Sequence, residues 1–375
     1  MIIINFYKKN NVYINFDRNR IKEKAESYLN MEAIHITDVK APLGFGGKHD
    51  YYSNGDYWWP NPNTEDGLPY IRRDGQTNPN NFNQHRLILR NLRNSVVALT
   101  AGFMVTNDVR YSIKAITLLK EFFIDSQTKM EPHLLYGQAI PGRCTGRGVG
   151  IIDTLHLIGI PVAIDILWNS SLMSKDIYKG LKDWFADYLD WITTHQYGKD
   201  EMRTKNNHSV CWNLQAAVFA KFTNNKSIIE LCKKQYKEVL LPEQMAINGS
   251  FPKELDRTKP YGYSIFVLDN MINLCYVLSN HEDNLWYYKT NDGKSIKKGL
   301  DFLYPYLLEK NNWPYKADVQ HFEEWPVRIS SLLFAGFNLN ETGYIDLWYK
   351  LKKNPKDKEV KRNVSIREPY LWVNS

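Results

Sequence analysis

The sequence predicts an all-α protein assembled from successive antiparallel helix pairs. Apolar residues recur at helical spacing through most of the chain beyond Gln84, and that period marks one buried stripe per helix. Strand-like alternation is scarce. The helical segments are similar in length and joined by turns, which favours antiparallel neighbours. Such pairs set in a ring leave a central cleft. An open helical solenoid is the alternative, and the absence of a repeating sequence period counts against it.

In chain order, residues 19–30 read as a short charged helix. Segment 41–83 follows without either period, and structureless stretches of that length inside a compact domain are usually functional or disordered. Tyr51, Tyr52, Tyr57, Trp58, Trp59 and Tyr70 make it too aromatic for a solvated linker. It is expected to be an ordered loop forming a lid or one wall of a cleft. From Gln84 a stripe of Leu87, Leu89, Leu92, Val96, Leu99 and Phe103 predicts a helix, and 111–123 carries another up to a break at Asp125. Further helices are expected at 150–168, 175–195, 207–222, 226–240, 263–278, 295–309, 323–337 and 341–351.

No low-complexity linker or charge block divides the 375 residues, so a single domain over 1–375 is expected. Aromatic residues make up 14%, including 11 Trp and 24 Tyr, enough to supply sugar-stacking platforms as well as core. The net charge of +7 favours an acidic partner. Without a lysine-rich arm or an RNP-like signature, nucleic acid is the weaker candidate. Cys144, Cys211, Cys232 and Cys275 lie far apart with no CxxC pair, arguing for free thiols rather than a zinc site or disulfide framework. The N-terminal "MIIINFYKKNN" is too short in its apolar run for a signal peptide and has no small-residue cleavage site after it. The apolar stretch 151–167 is interrupted by Asp153, His156, Pro161 and Asp165 and is not expected to span a membrane.

Several motifs have ordinary explanations. "NDGKS" at 291–295 lacks the glycine that a phosphate loop needs at position 288 and reads as a surface turn. "HFEEW" at 321–325 reads as caps and surface charges before it reads as metal ligands. In "PGRCTGRGVG", Arg143 and Arg147 sit in a glycine-rich turn before a helix, where they are either anion ligands or exposed charges. Asp153 and His156 read as a satisfied buried pair.

Two polar clusters stand apart, separated by an apolar segment that would hold them in place: "NNHSVCW" at 206–212 and "ELDRTKPYGY" at 254–263. Together they offer an amide, an imidazole, a guanidinium and phenols. That set can neutralise a carboxylate, remove the proton beside it and protonate a leaving oxygen. Asn206 or Asn207 can also cap the following helix, with His208 and Trp212 on its face. Pro260 and Gly262 are expected to form a rigid turn that aims Tyr261 and Tyr263.

"GGKHDYYSNGDYWWPNP", "GLPYIRRDGQTNP", "NNHSVCW" and "ELDRTKPYGYSIF", in that order, resemble the alginate lyase superfamily, closest to polysaccharide lyase family 38 and more distantly to family 5. The resemblance spans residues 46–336. It implies an incomplete (α/α) toroid with a mobile N-terminal lid loop, and a periplasmic or secreted location. It also implies catalytic roles for Asn207, His208, Arg257 and Tyr263, with Tyr261 in reserve because the Arg-to-Tyr spacing is one residue shorter than in family 5. Tyr57, Trp58, Arg72, Arg143, Trp212 and Tyr261 are the expected substrate-binding residues.

The expected reaction is β-elimination on an acidic polysaccharide, most simply alginate. Removing the C5 proton of a uronate piles charge onto its carboxylate, so that group must be neutralised, and Asn207 and Arg257 are the expected neutralisers. A guanidinium beside Tyr263 should lower its pKa and let it act as base and then acid. That suffices where C5–H and the C4 oxygen share a face of the ring, as in mannuronate. Guluronate has them on opposite faces, and there His208 would be the base. The scheme needs no metal or cofactor. The rival enzyme is a glycoside hydrolase using two of Asp56, Glu254, Asp256, Glu323 and Glu324; the non-enzymatic rival is a glycan-binding protein.

Overall fold

The computed structural model describes residues 2–42 and 46–373, with side chains from residue 16 onward. Leu43, Gly44 and Phe45, inside the expected loop, lie outside the described residues, as do the N-terminal side chains considered as a leader. Fifteen α-helices are described: α1 Ile2–Leu29, α2 Gln84–Thr106, α3 Val109–Phe123, α4 Gly159–Asn169, α5 Lys175–Thr194, α6 Gln196–Met202, α7 Asn207–Thr223, α8 Lys226–Gln235, α9 Leu241–Gln244, α10 Pro252–Leu255, α11 Pro260–Leu278, α12 Ile296–Leu308, α13 Ser330–Asn338, α14 Thr342–Lys350 and α15 Lys358–Asn363. Strands β1 Tyr52–Asn54 and β4 Tyr136–Ala139 pair in parallel, while β2 Trp58–Trp59 and β3 Ile71–Arg72 form an antiparallel ribbon.

The helices follow one another around an (α/α) toroid, α1 packing on α2, α2 on α3, α3 on α5, α5 on α7, α7 on α11 and α11 on α13. The 3₁₀ turn Pro369–Leu371 returns to α2 and α4, and the Tyr276 hydroxyl of α11 donates to the Trp372 carbonyl at 2.7 Å. One hydrophobic cluster extends from Ile21 to Val373. Helices α7 and α11 are buried on nearly every face, as befits central helices with no polar stripe.

Most expected helices are present, with instructive shifts. Leu87 is 50% exposed and stands off the buried stripe on which Leu89 and Val96 lie. The apolar stretch Gly148–Asn169, long enough by composition to cross a membrane, is a 3₁₀ helix followed by α4, mostly buried in the protein. Pro326 prevents a helix from starting at residue 323, because proline disfavours helical geometry in the residue before it, and Trp325 is extended. Pro260 and Gly262 do not form a separate turn. They occupy the first turn of α11, where proline's missing N–H costs nothing. Cys211, Cys232 and Cys275 are buried free thiols, and Cys144 is free and half-buried.

Candidate active site

The two polar clusters fall at the N-terminal ends of the two central helices. Asn207 and His208 open α7, Tyr263 completes the first turn of α11, and Arg257 lies in the link between α10 and α11. All four line one cleft of about 540 Å³. Helix N-termini carry partial positive charge, and each of these is met by a buried carboxylate, Glu254 at α7 and Asp318 at α11.

The start of α11 is held by Asp318, whose carboxylate accepts the backbone N–H groups of Tyr261 at 2.8 Å and Gly262 at 2.9 Å. A Cβ on residue 262 would lie 2.9 Å from that carboxylate and 3.0 Å from the Trp325 indole nitrogen. The Tyr263 hydroxyl lies 2.9 Å from the Tyr57 hydroxyl and accepts from Arg257 Nη2 at 3.4 Å. The Arg257 guanidinium also sits 4.4 Å from the centre of the Tyr263 ring. Arg257 is held by Asp74 through Nε at 3.1 Å and Nη2 at 3.0 Å. Gly75 permits this approach: its φ is +74°, and a Cβ there would meet Thr258 Oγ1 at 2.3 Å.

Burial, then the adjacent Tyr57, pushes the Tyr263 phenol well above the ordinary tyrosine value, and Arg257 does not offset this. The expected lowering by the guanidinium is therefore overridden. Asn207 differs from expectation too. Its side-chain nitrogen lies 2.9 Å from both carboxylate oxygens of Glu254, and its backbone N–H donates to the same group at 2.8 Å. The amide nitrogen is thus engaged by a buried carboxylate, although the residue still lines the cleft. His208 Nδ1 lies 2.6 Å from Glu201 Oε1, which leaves Nε2 as the other ring nitrogen.

Of the expected binding residues, Tyr57, Trp58 and Arg72 line the cleft. Three do not. Trp212 is core, 1% exposed, donating to the Ile192 carbonyl at 3.1 Å. Tyr261 is fully buried, donates to the Tyr306 carbonyl at 2.8 Å and packs on Trp313 and Phe322, so it cannot stand in for Tyr263. Arg143 is exposed and stacks over Trp58 while donating to the Tyr70 carbonyl; Arg147 lines the cleft instead. The loop is a wall tied to the body: Tyr51 is buried with its hydroxyl on Asp153 at 3.0 Å, and the Ser53 hydroxyl donates to the same carboxylate at 2.7 Å.

Residues to which the sequence assigned another role, or none, complete the site. Asp56 is clamped between Arg86 and Arg362. Burial pushes its carboxyl up, but the two guanidiniums outweigh that and hold it well below the usual carboxylate range. Arg362 also reaches the Tyr57 hydroxyl at 3.3 Å and Glu359 at 2.7 Å. Asp153 and His156 line the cleft but do not pair with each other; Asp153 meets Arg86 and His156 meets Arg90. Nothing in the local sequence marks Arg86, Arg90 and Arg362 as site residues, and only their shared approach to Asp56 would have revealed them.

The lining contains Arg72, Arg90, Arg147, Lys205, Lys253, Arg257 and Arg362 against two carboxylates, Asp56 and Asp153, both engaged by Arg86. No free acid is therefore offered to a hydrolase among the described residues. Glu254 is buried against Asn207, Asp256 is exposed, and Glu323 and Glu324 pair with Lys310 and Lys352 at the surface. A helical toroid with a basic cleft holding a phenol, an imidazole and a guanidinium defines a polysaccharide lyase. A family model described as alginate lyase matches residues 44–313, and the chain belongs to that family. An alginate lyase from Bacteroides ovatus superposes with a TM-score of 0.81 at 32% identity over 93% of each chain. Alginate lyase A1-III from Sphingomonas species A1 shares the fold at a TM-score of 0.55 and 13% identity, covering 89% of this chain and 88% of its own. A variant of A1-III complexed with a tetrasaccharide gives a TM-score of 0.56 at 11% identity over 94% of this chain and 91% of its own. Among curated proteins, none matches the chain.

Proposed function

We propose that the protein depolymerises alginate by β-elimination, leaving a 4,5-unsaturated uronate at the new chain end. The observation that carries this reading is the Tyr263 hydroxyl between Tyr57 and Arg257, in a cleft that also holds His208 and whose unpaired charges are cationic. Arg257 neutralises the uronate carboxylate. Its Nε and Nη2 are engaged by Asp74, and Nη1 makes no hydrogen bond among the described residues, leaving a donor for the substrate. Charge building on the carboxylate as C5–H breaks is stabilised by that fixed guanidinium.

The protonation state of the two proton carriers divides the work. Tyr263 is a phenol at rest, so it is ready to give its proton to the C4 oxygen as the C4–O bond breaks. His208, with Nδ1–H donated to Glu201, has Nε2 free to take the C5 proton. This division serves bonds in which the two groups lie on opposite faces, as in guluronate. On same-face bonds, as in mannuronate, Tyr263 must first lose its proton, and burial makes that the more demanding route. Asn207 holds the start of α7 through Glu254 and positions His208. Tyr57, Trp58 and Arg72 contact the sugar chain. We further infer that residues 1–375 act as one domain and that the protein works in the periplasm or outside the cell, where such polymers are met.

The test is a panel of mannuronate blocks, guluronate blocks, glucuronan and glycosaminoglycans. Elimination creates a double bond conjugated with a carboxylate, so ultraviolet absorbance should rise with the alginate blocks. Reducing ends appearing without absorbance would mean hydrolysis, and binding without either would mean a glycan-binding protein.

A further inference from the structure

The cations of the cleft are not equivalent. Arg362 is taken by Asp56 and Glu359, Arg72 and Arg257 by Asp74, and Arg147 by the carbonyl and amide oxygens of Gln138. Lys205 and Lys253 are exposed, where water solvates them. Arg90 is different. It is half-buried in the cleft wall and makes no ion pair among the described residues; its one hydrogen bond runs from Nε to His156 Nε2 at 3.1 Å.

That bond shows that His156 contributes no compensating charge. To accept from a guanidinium, Nε2 must carry a lone pair, so the imidazole is neutral with its proton on Nδ1. Burial, with Arg93, Arg90 and Arg367 adding to it, holds His156 well below its ordinary pKa. The surroundings of Arg90 are on balance unfavourable to its charge: burial, then Arg86 and Arg362, outweigh the attraction of Asp56 and Asp153 and push its pKa down to about 10. Its Nη1 and Nη2 make no hydrogen bond among the described residues, although a guanidinium is built to engage a carboxylate with two parallel bonds. A guanidinium in a cleft wall with two nitrogens unengaged and no ion pair of its own has the arrangement of an anion subsite.

We propose that Arg90, its plane fixed by the neutral His156, forms a second carboxylate subsite that takes the carboxylate of a uronate adjoining the one being cleaved. The proposal rests on the lyase reading above and deepens it. Arg362 places the subsite near the chemistry, since it touches the Tyr57 hydroxyl and lies close enough to Arg90 to repel it. The subsite defines the substrate class as a polymer of contiguous uronates. A chain in which uronates alternate with amino sugars offers no carboxylate on the adjoining residue.

Arg90→Gln and Arg90→Lys test this with three readouts: steady-state kinetics on polymannuronate and polyguluronate and on the same polymers with part of their carboxylates reduced to alcohols, calorimetric binding of a uronate tetrasaccharide, and the melting temperature without ligand. For Arg90→Gln, KM should rise roughly tenfold to a hundredfold, the loss of one charge-assisted pair, with kcat little changed. The preference for native over reduced polymer should fall, and the melting temperature should stay level or rise, because a repelled cation is gone. Arg90→Lys should retain most of the affinity. Unchanged KM and unchanged binding in Arg90→Gln, or a lowered melting temperature with equal kcat losses in both variants, overturns the proposal and makes Arg90 structural. If the parent protein generates no double bond, the lyase reading fails separately, and tetrasaccharide binding to parent and variant still decides Arg90.

Discussion

Tyr263 carries a proton that the surrounding protein keeps on it. Burial outweighs the Arg257 guanidinium, so the hydroxyl enters the reaction as an acid, and Tyr263→Phe removes that acid while keeping the ring. Turnover should fall by roughly a hundredfold to ten-thousandfold, the span of one positioned proton carrier, with tetrasaccharide binding within a few fold by calorimetry. Retention of a tenth of the parent rate would remove Tyr263 from the chemistry, and no other tyrosine could inherit it from Tyr261's position, since that hydroxyl is engaged at Tyr306 in the core. The direction of the pKa also fixes a pH signature. A phenol raised above its ordinary value of about 10 stays protonated through moderately alkaline pH. On guluronate blocks, where the phenol is the acid, kcat should therefore stay level up to about pH 10. On mannuronate blocks, where the phenolate is needed, kcat should climb over the same range. Parallel profiles on the two blocks would refute the division of labour between His208 and Tyr263.

At the level of the element, the site depends on where α11 begins. Asp318 accepts two of its first free N–H groups, of the kind every helix leaves unsatisfied at its start. Asp318→Ala leaves two buried donors without partners and should cost about 1–3 kcal/mol per orphaned group, read as a lowered midpoint in urea. Because Tyr263 sits in the same turn, kcat should fall more than KM rises. A stable variant with a parental kcat would show that the turn is held by other means. The same logic explains the loop: Tyr51 and Ser53 anchor it to Asp153 in the body, so Tyr57 reaches Tyr263 from a wall whose position is set by the core.

At the level of the whole molecule, the cleft is closed by an ion cluster that joins three distant segments. Asp56 from the loop, Arg86 from α2 and Arg362 from α15 meet where Arg362 touches Tyr57. Asp56→Asn removes the carboxylate that the two arginines share, leaving Arg86 to Asp153 and Arg362 to Glu359; breaking a buried pair from one side costs up to about 3–5 kcal/mol, and the remaining partners hold the loss to the lower part of that range. The melting temperature should drop accordingly, with activity lost in step. The pH dependence follows from the depressed pKa of Asp56. A carboxyl lowered by folding contributes stability above its unfolded value of about 3.9 and loses it only as pH falls through the lower folded value. The stability gap between parent and Asp56→Asn should thus be constant from neutral pH to about pH 5 and close only in strong acid. A gap that closes near neutrality would mean that Asp56 is not the charged centre of the cluster.

The sequence alone determined what depends on neighbours along the chain. Helical periodicity located α2, α3, α5, α7, α11, α12 and α14 within a few residues, because an amphipathic or fully apolar stripe is a local pattern. The two polar clusters located four residues of the cleft, because polar groups gathered at the start of apolar helices have little to do in a core. Proline and glycine before Tyr263 suggest a turn, although proline at the first helical position carries the opposite message. Only the tertiary structure decided which polar groups face each other. Arg362 lies 306 residues from Asp56 along the chain, and no period links them. Trp212, Tyr261 and Arg143 have the chemistry of ligands, yet the first two lie in the core and Arg143 sits on Trp58 outside the cleft lining. Asn207 turned to a buried Glu254, and the Tyr263 phenol stayed protonated, for one physical reason: burial and charge pairing are set by what the fold brings within a few ångströms, and sequence spacing does not encode that distance.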